Sequence, residues 1–201
     1  MQIMCLDLEG VLFPEVWMAV AGHFGNEELR VTTRDIPDYD KLMEHRLRLL
    51  RQQGIGLREI EAVLAALRPL DGAQSFLRTL RASMPVVILS DTFEQFSRSI
   101  AAQLDYPVIL CNRLTVEHNV ITDYVLRQDD GKRVAVESFQ RMNLNVFAVG
   151  DSYNDLAMIL QADHGALFRA PESIRQSHPD LASFTNYEEI LAWAGVSPAG
   201  R

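Results

Sequence analysis

Short apolar runs alternate with amphipathic segments along most of the chain, which is the pattern of a parallel β-sheet flanked by helices. We predict strands at five of these runs, namely 2–8, 84–92, 106–111, 144–152 and 164–168. Helical segments lie between them or directly beside them. The pattern therefore predicts the α/β class, with a doubly wound parallel sheet.

One segment, residues 14–69, interrupts this alternation because it holds two or three helical periods and no convincing strand. Its clearest helix lies near residues 38–54, where apolar side chains recur at helical spacing. Arg46 lies on that apolar face, where a leucine would be expected. We predict a core domain of residues 1–13 and 70–201, with residues 14–69 inserted after the first strand as a small helical cap.

A second departure from the alternation lies in residues 112–130. Apolar and polar residues there alternate with a period of two on either side of His118 and Asn119. This pattern predicts a β-hairpin, which we expect to lie beside the main sheet.

Composition narrows the functional class. The chain has 201 residues, of which 48% are apolar, and its formal net charge is -8, which argues against nucleic acid as a partner. No apolar run reaches membrane-spanning length, so we expect a soluble protein of the cytoplasm without a membrane partner. The two cysteines, Cys5 and Cys111, have no metal-like spacing and are interpreted as packing residues in a reducing compartment.

Polar side chains gather where the predicted strands end. In open α/β sheets a ligand site lies outside the carboxyl ends of the strands, so these residues are expected to meet at one edge. They are Asp7 and Glu9 after the first strand, Ser90, Asp91 and Thr92 at the second, Asp151, Ser152, Asn154 and Asp155 at the fourth, and Lys132 with its neighbour Arg133 in the helical segment before the fourth.

Ionised carboxylates that share a small volume raise one another's pKa unless a cation lies among them. Ligands that are all oxygen atoms favour a hard ion, and Mg²⁺ suits a site with one or two carboxylates whose coordination is completed by water and phosphate. We therefore expect Mg²⁺ here. Ser90 and Lys132 would then face the phosphate oxygens, as a hydrogen-bond donor and a point charge. A carboxylate at the metal can act as the nucleophile.

Four short motifs carry a resemblance to a known family. They are "DLEGV" at the end of the first strand, "ILSDT" at the end of the second, a lysine before the fourth strand and "GDSYND" after it. In order and spacing they resemble the motifs of the haloacid dehalogenase superfamily over nearly the whole chain. The resemblance implies that Asp7 is the phosphorylated nucleophile and that Asp7, Glu9 and Asp151 hold Mg²⁺, with Ser90 and Lys132 at the phosphoryl group.

Glu9 departs from the usual first motif of that superfamily, which has aspartate at this position. The resemblance makes Glu9 the general acid and base. Its side chain is one methylene longer than that of aspartate, which allows two interpretations: either the backbone shifts to compensate for the added length, or proton transfer to and from water is weakened and a phosphoryl acceptor other than water is favoured. The longer stretches "CLDLEGVLFPE" and "VVILSDTFEQFS" resemble phosphoserine phosphatases in which this glutamate is normal. They imply hydrolysis of phosphoserine and transfer of its phosphoryl group to L-homoserine.

A substrate with an amino-acid head group needs an acid and a base from the cap. Glu15 and Arg46 are the two candidates, and in phosphoserine phosphatases the corresponding residues hold these groups; Asp91 and Asn154 are expected to add contacts. Glu15 and Arg46 each have an alternative explanation that involves no substrate. Glu15 also suits the first turn of a helix, and Arg46 can extend along its helix into water. We also leave a homodimer open.

Three other functions compete with a phosphoserine phosphatase. One is a phosphatase of another small phosphomonoester. A receiver-like signalling module also pairs an acidic Mg²⁺ site with a phosphorylatable aspartate, but its aspartate lies on a later strand and no helical cap follows the first. A non-catalytic binding protein is disfavoured because Asp7, Ser90, Lys132 and Asp151 are all present.

Overall fold

The structure, a computed structural model, describes residues 1–33, 35–36 and 38–197. The strands are β1 (Gln2–Leu6), β2 (Val86–Phe93), β3 (Val108–Glu117), β4 (Val120–Val125), β5 (Asn145–Gly150), β6 (His164–Phe168) and β7 (Ala182–Phe184). The helices are α1 (Val16–Phe24), α2 (Tyr39–Gln53), α3 (Leu57–Ala66), α4 (Ala73–Ser83), α5 (Glu94–Gln103), α6 (Gly131–Arg141), α7 (Leu156–Gln161), α8 (Glu172–Ser177) and α9 (Tyr187–Trp193). Two 3₁₀ turns lie at Glu27–Arg30 and Tyr153–Asp155.

The strands form one sheet in the order β4-β3-β2-β1-β5-β6-β7. Every neighbouring pair is parallel except β3 and β4, which are antiparallel. The strand β1 is central, and its last residue Leu6 pairs with Ile88 of β2 and Val149 of β5. The carboxyl ends of these three strands therefore lie side by side, and the predicted doubly wound α/β fold is confirmed.

The hairpin differs from its prediction in one respect. The third strand does not end at residue 111, because β3 continues to Glu117 and pairs with β4 through its second half. Its first half pairs with β2 as far as Asn112. The edge strand β4 thus belongs to the main sheet. The short strand β7 was not predicted, since three residues are too few to show a period.

Both faces of the sheet are buried. Along β1, Met4 and Leu6 contribute to one hydrophobic cluster, while Ile3 and Cys5 contribute to the other. A strand that is covered on both faces is apolar at every position, which explains the continuous runs in the sequence. Cys5 and Cys111 are buried free thiols, as expected of packing residues.

The segment that follows β1 is helical in its described residues. Asp38 accepts a hydrogen bond from the Lys41 amide at the start of α2, and Gly54 ends the helix with φ 66°. Where the chain returns from this segment, the Leu70 amide donates to the Leu12 carbonyl at 3.0 Å, so its two ends lie together. The division into a core and a cap at residues 14–69 remains a prediction. In the described part of the chain, no helix is both long and apolar enough to cross a membrane.

Candidate active site

A cavity of about 590 Å³ lies at the carboxyl ends of β1 and β2, beneath α2. Its wall combines polar groups from the strand ends with residues from the helical segment after β1. The predicted site residues that line it are Asp7, Glu9, Glu15, Arg46, Ser90, Asp91, Lys132 and Asn154. Asp151 does not line the cavity itself but lies beside Asp7.

Lys132, in the first turn of α6, is the buried cation at the strand ends. Its Nζ lies 2.8 Å from Oδ1 of Asp7, 2.7 Å from Oδ1 of Asp155 and 3.4 Å from Oδ2 of Asp91. Burial alone would lower the pKa of this lysine, but the three carboxylates outweigh it and raise the pKa well above its ordinary value. The neighbouring Arg133 instead pairs with Asp130 and Glu137 on the surface, so Lys132 is the residue that reaches inward.

Asp7 is 4% exposed and is fixed by its backbone, whose amide donates to the Val149 carbonyl at 2.9 Å. Burial and the charge of Asp155 raise the pKa of its carboxyl group well above the usual range, although Lys132 opposes the shift. One lysine thus shares its charge between two buried acids, Asp7 and Asp155, and the more exposed Asp91. The site is short of positive charge at the point where Asp7 lies.

Asp155 is a residue whose role the sequence leaves undetermined. Its side chain is fully buried; Oδ1 accepts from Lys132, while Oδ2 accepts from the Asp151 and Ser152 amides at 3.0 Å and from the Ser152 hydroxyl at 3.1 Å. Both oxygens are therefore engaged by protein donors. Asp155 holds Lys132 and shapes the turn that carries Asp151. The Ser152-x-x-Asp155 spacing, which is that of a capping box, is the sequence signal for this role.

The surroundings of Asp151 are those expected of a metal ligand. Its Oδ1 is buried and has no hydrogen-bond partner among the described residues, and carboxylate oxygens of Asp7, Asp151 and Asp155 all lie within 4.8 Å of one another. Burial and the charge of Asp155 raise the pKa of Asp151 to about 7. An unpartnered buried carboxylate oxygen beside a second acid suits a hard cation. The residues present therefore fit Mg²⁺.

Gly10 allows this close approach. Its φ is 82°, and a Cβ at this position would lie 2.5 Å from Cγ and Oδ2 of Asp151. Only glycine combines the left-handed conformation with the space that the carboxylate occupies.

Glu9 is linked to the helical segment. Its Oε2 accepts a hydrogen bond of 2.8 Å from the amide of Val16, the first residue of α1. Burial and the charge of Glu15 raise the pKa of Glu9 to about 7, against the effects of this hydrogen bond and of nearby cations. A carboxyl group with this pKa can both donate and accept a proton near neutral pH.

Arg46 is buried in the cavity wall with 7% exposure, so the alternative of an arginine extended into water is wrong. Its Nη2 donates to the Val31 carbonyl at 3.0 Å, and its guanidinium lies 4.4 Å from the centre of the Trp17 ring. Its Nε is buried and finds no hydrogen-bond partner within residues 1–33, 35–36 and 38–197, and burial lowers the pKa of the group to about 10. Glu15 is exposed and lies at the start of α1, also facing the cavity.

The remaining predicted residues meet at the end of β2. Asn154 donates from Nδ2 to Oδ2 of Asp91 at 2.9 Å, and the buried hydroxyl of Ser90 accepts from the Thr92 amide at 3.2 Å. Tyr39, which sequence reasoning did not single out, and Thr92, which it placed at the strand ends without a role, also line the cavity. Tyr39 donates from its hydroxyl to the Asp91 carbonyl at 3.3 Å, and the buried Thr92 hydroxyl has no partner in the part of the chain that the structure describes. Tyr39 reads as an ordinary core position from periodicity alone, and Thr92 as a strand-end hydroxyl.

Comparison with protein families matches residues 14–160 to haloacid dehalogenase-like hydrolases. A phosphoserine phosphatase of Pseudomonas syringae pv. tomato is 48% identical over 190 residues, which cover 94% of this chain and 80% of that protein. Phosphoserine phosphatase ThrH of Pseudomonas aeruginosa is 47% identical over 191 residues, which cover 94% of this chain and 93% of that protein.

Solved structures with the same fold include a substrate-bound phosphoserine phosphatase complex. It superposes with a TM-score of 0.80 at 20% identity, covering 96% of this chain and 97% of the other. An apo phosphoserine phosphatase gives a TM-score of 0.79, also at 20% identity, covering 96% of this chain and 98% of the other. At this level of identity the likeness concerns the fold.

Proposed function

Because the chain belongs to the haloacid dehalogenase-like hydrolase family, we propose that it is a phosphoserine phosphatase which also transfers the phosphoryl group to L-homoserine. The main support for the proposal is that one cavity has phosphate-binding side chains at one end and a buried arginine at the other. Asp7, Ser90 and Lys132 form an end suited to phosphate, and the buried Arg46 faces them from the helical segment with a free Nε. Relatives at 47% and 48% identity bear the name phosphoserine phosphatase.

The first chemical step is attack of Asp7 on phosphorus. Lys132 holds Oδ1 of Asp7, so we assign the attack to Oδ2. The new oxygen–phosphorus bond forms as the bond to the serine oxygen breaks, and Glu9 gives its proton to that oxygen. An aspartyl phosphate and free serine result. Ser90 and Lys132 donate to the phosphoryl oxygens throughout.

The second step releases or transfers the phosphoryl group. Glu9 takes a proton from the incoming hydroxyl group, which attacks phosphorus and displaces the Asp7 carboxylate. Water gives inorganic phosphate, and the side-chain hydroxyl of homoserine gives phosphohomoserine. Homoserine has the same α-amino-acid head group as serine, so one head-group site serves both.

Mg²⁺ is the cofactor that the donor set fits, with the carboxylates of Asp7 and Asp151 and the backbone carbonyl of Glu9 as its proposed ligands. When bound, it neutralises charge on the transferring phosphoryl group. Asp155 remains outside this set because its oxygens are already engaged by Lys132 and by the turn after β5.

The amino-acid head group is held by the cap. Arg46 would bind the carboxylate through the Nε that has no protein partner, and Glu15 would bind the ammonium group. Asp91 and Asn154, which contact each other at the rim, add polar contacts. A cap at residues 14–69 that closes over the substrate would exclude water and favour transfer over hydrolysis.

The wider setting follows from the same proposal. We place the protein in the cytoplasm, with phosphoserine and homoserine as its small-molecule partners and neither nucleic acid nor membrane among them. A homodimer remains open to measurement of the molar mass in solution.

The test is incubation with phosphoserine and Mg²⁺, with and without homoserine, followed by measurement of free phosphate and phosphohomoserine. Both products are expected. Phosphate alone would leave a plain phosphatase, and absence of both would overturn the proposal. A parallel panel of other small phosphomonoesters distinguishes the alternative substrate class, which is favoured if one of them is hydrolysed far faster than phosphoserine.

A further inference from the structure

The tip of the β3–β4 hairpin contacts α3, the helix that follows α2 in the chain. The carbonyl oxygen of Asn119 accepts from the Leu57 amide at 2.9 Å, and its Oδ1 accepts from the Arg58 amide at 2.8 Å. Its Nδ2 donates to Oε2 of Glu59 at 2.8 Å. The first amides of a helix have no partner within the helix. Asn119 therefore caps α3 from a distant part of the chain.

The contact depends on close fit. A Cβ on Gly56 would lie 2.3 Å from Nδ2 and the carbonyl oxygen of Asn119, so a larger residue at this position would push the hairpin away. His118 and Asn119 have φ values of 49° and 75°, the left-handed conformation of a tight hairpin turn, which asparagine tolerates well. The contact thus depends on a glycine on the helix side, which leaves room for Asn119, and on an asparagine on the hairpin side, which tolerates the left-handed conformation.

Further bonds join α2 to the same side of the sheet. Near its end, Arg51 donates from Nη2 to the Thr122 carbonyl of β4 at 2.7 Å. Near its start, the Tyr124 hydroxyl of β4 donates to Asp40. Asn119 binds just beyond the three-residue connection between α2 and α3. The helix α2 is therefore bonded to β4 near both of its ends, and the turn before β4 is bonded to the next helix, α3.

Arg46 lies in the middle of α2. Its side chain enters the cavity from α2, and α2 is bonded to β4 near both of its ends. We propose that Asn119 is a positioning residue, which holds α2 at the depth where Arg46 meets the carboxylate of an amino-acid phosphate. The inference rests on the proposed function for its choice of substrate.

The test is Asn119→Gly, which keeps the left-handed turn and the backbone carbonyl but removes both side-chain hydrogen bonds. We expect KM for phosphoserine to rise about tenfold, because the two lost hydrogen bonds are of the size that such a change in affinity requires. Turnover of p-nitrophenyl phosphate, which has no carboxylate for Arg46, should stay as in the unaltered protein. Amide hydrogen exchange at Arg58 should become faster.

The matched control is Asn143→Gly. Asn143 also has a positive φ, 59°, but it lies just before β5, at the amino ends of the parallel strands and away from the cavity at their carboxyl ends. This variant should therefore keep both activities. The proposal is overturned if Asn119→Gly leaves KM for phosphoserine unchanged, or changes both substrates equally. If the unaltered protein hydrolyses neither ester, the proposed function fails, and hydrogen exchange decides the role of the hairpin: unchanged exchange at Arg58 overturns it.

Discussion

Replacement of Arg46 by methionine separates its role in binding from its role in stability. The guanidinium is almost fully buried, and burial lowers its pKa from its ordinary value to about 10. At about 1.4 kcal/mol per pKa unit, keeping it charged near neutral pH costs about 3 kcal/mol relative to the unfolded chain. The unpartnered Nε adds to this cost.

Against this cost stand two favourable contacts of Arg46. The charged hydrogen bond to the Val31 carbonyl contributes about 1.5–3 kcal/mol, and the contact with Trp17 contributes about 1 kcal/mol. The terms nearly cancel. Arg46→Met, which keeps the volume and removes the charge, is therefore expected to leave the free energy of unfolding within about 1 kcal/mol of the original value.

Activity should respond differently from stability. Loss of a charged hydrogen bond to the substrate carboxylate should lower kcat/KM for phosphoserine about 10- to 100-fold, with p-nitrophenyl phosphate hydrolysis retained as the control. Urea unfolding and steady-state kinetics measure the two quantities. A loss of more than about 3 kcal/mol in unfolding free energy, or unchanged kcat/KM for phosphoserine, would refute the reasoning.

Three further predictions address the rest of the site. Asp7→Asn should abolish turnover while circular dichroism stays unchanged, and appreciable activity would remove Asp7 as the nucleophile. Lys132→Met leaves Asp7 and Asp155 without their cation, so urea unfolding should show a loss of about 3–5 kcal/mol near neutral pH. That loss should shrink as the pH falls and the Asp7 carboxyl group, whose pKa is raised, takes up a proton, whereas a pH-independent loss would contradict the assigned ion pair between Lys132 and Asp7. Saturating Mg²⁺ at about 100 times its Kd should stabilise the protein by about 2.7 kcal/mol and raise Tm, but should do neither in Asp151→Ala.

Much of the site follows from the sequence because parallel strands place their carboxyl ends at one edge. Asp7, Ser90 and Asp151 needed only strand assignments to be brought together, and β1 lies between β2 and β5 as a central strand should. Lys132 reaches the cavity while Arg133 pairs with Asp130 and Glu137, since a helix places adjacent residues on different faces.

The rest depends on contacts between distant segments, which periodicity does not encode. Tyr39 is one of several apolar positions along α2, and only the folded chain shows its hydroxyl at the Asp91 carbonyl. Asp155 looks like a second metal acid until its oxygens are seen to be engaged by protein donors. Asn119 is recognisable as a turn residue, but its bonds to α3 cross about sixty residues of sequence.

The central claim is that Asp7 takes the phosphoryl group from phosphoserine. Rapid acid quenching during turnover with Mg²⁺, followed by mass spectrometry of peptides, measures this directly. The account predicts a mass gain of one phosphoryl group on Asp7, lost upon addition of homoserine as phosphohomoserine forms. Turnover of phosphoserine without that gain, or with the phosphoryl group on another residue, would contradict it.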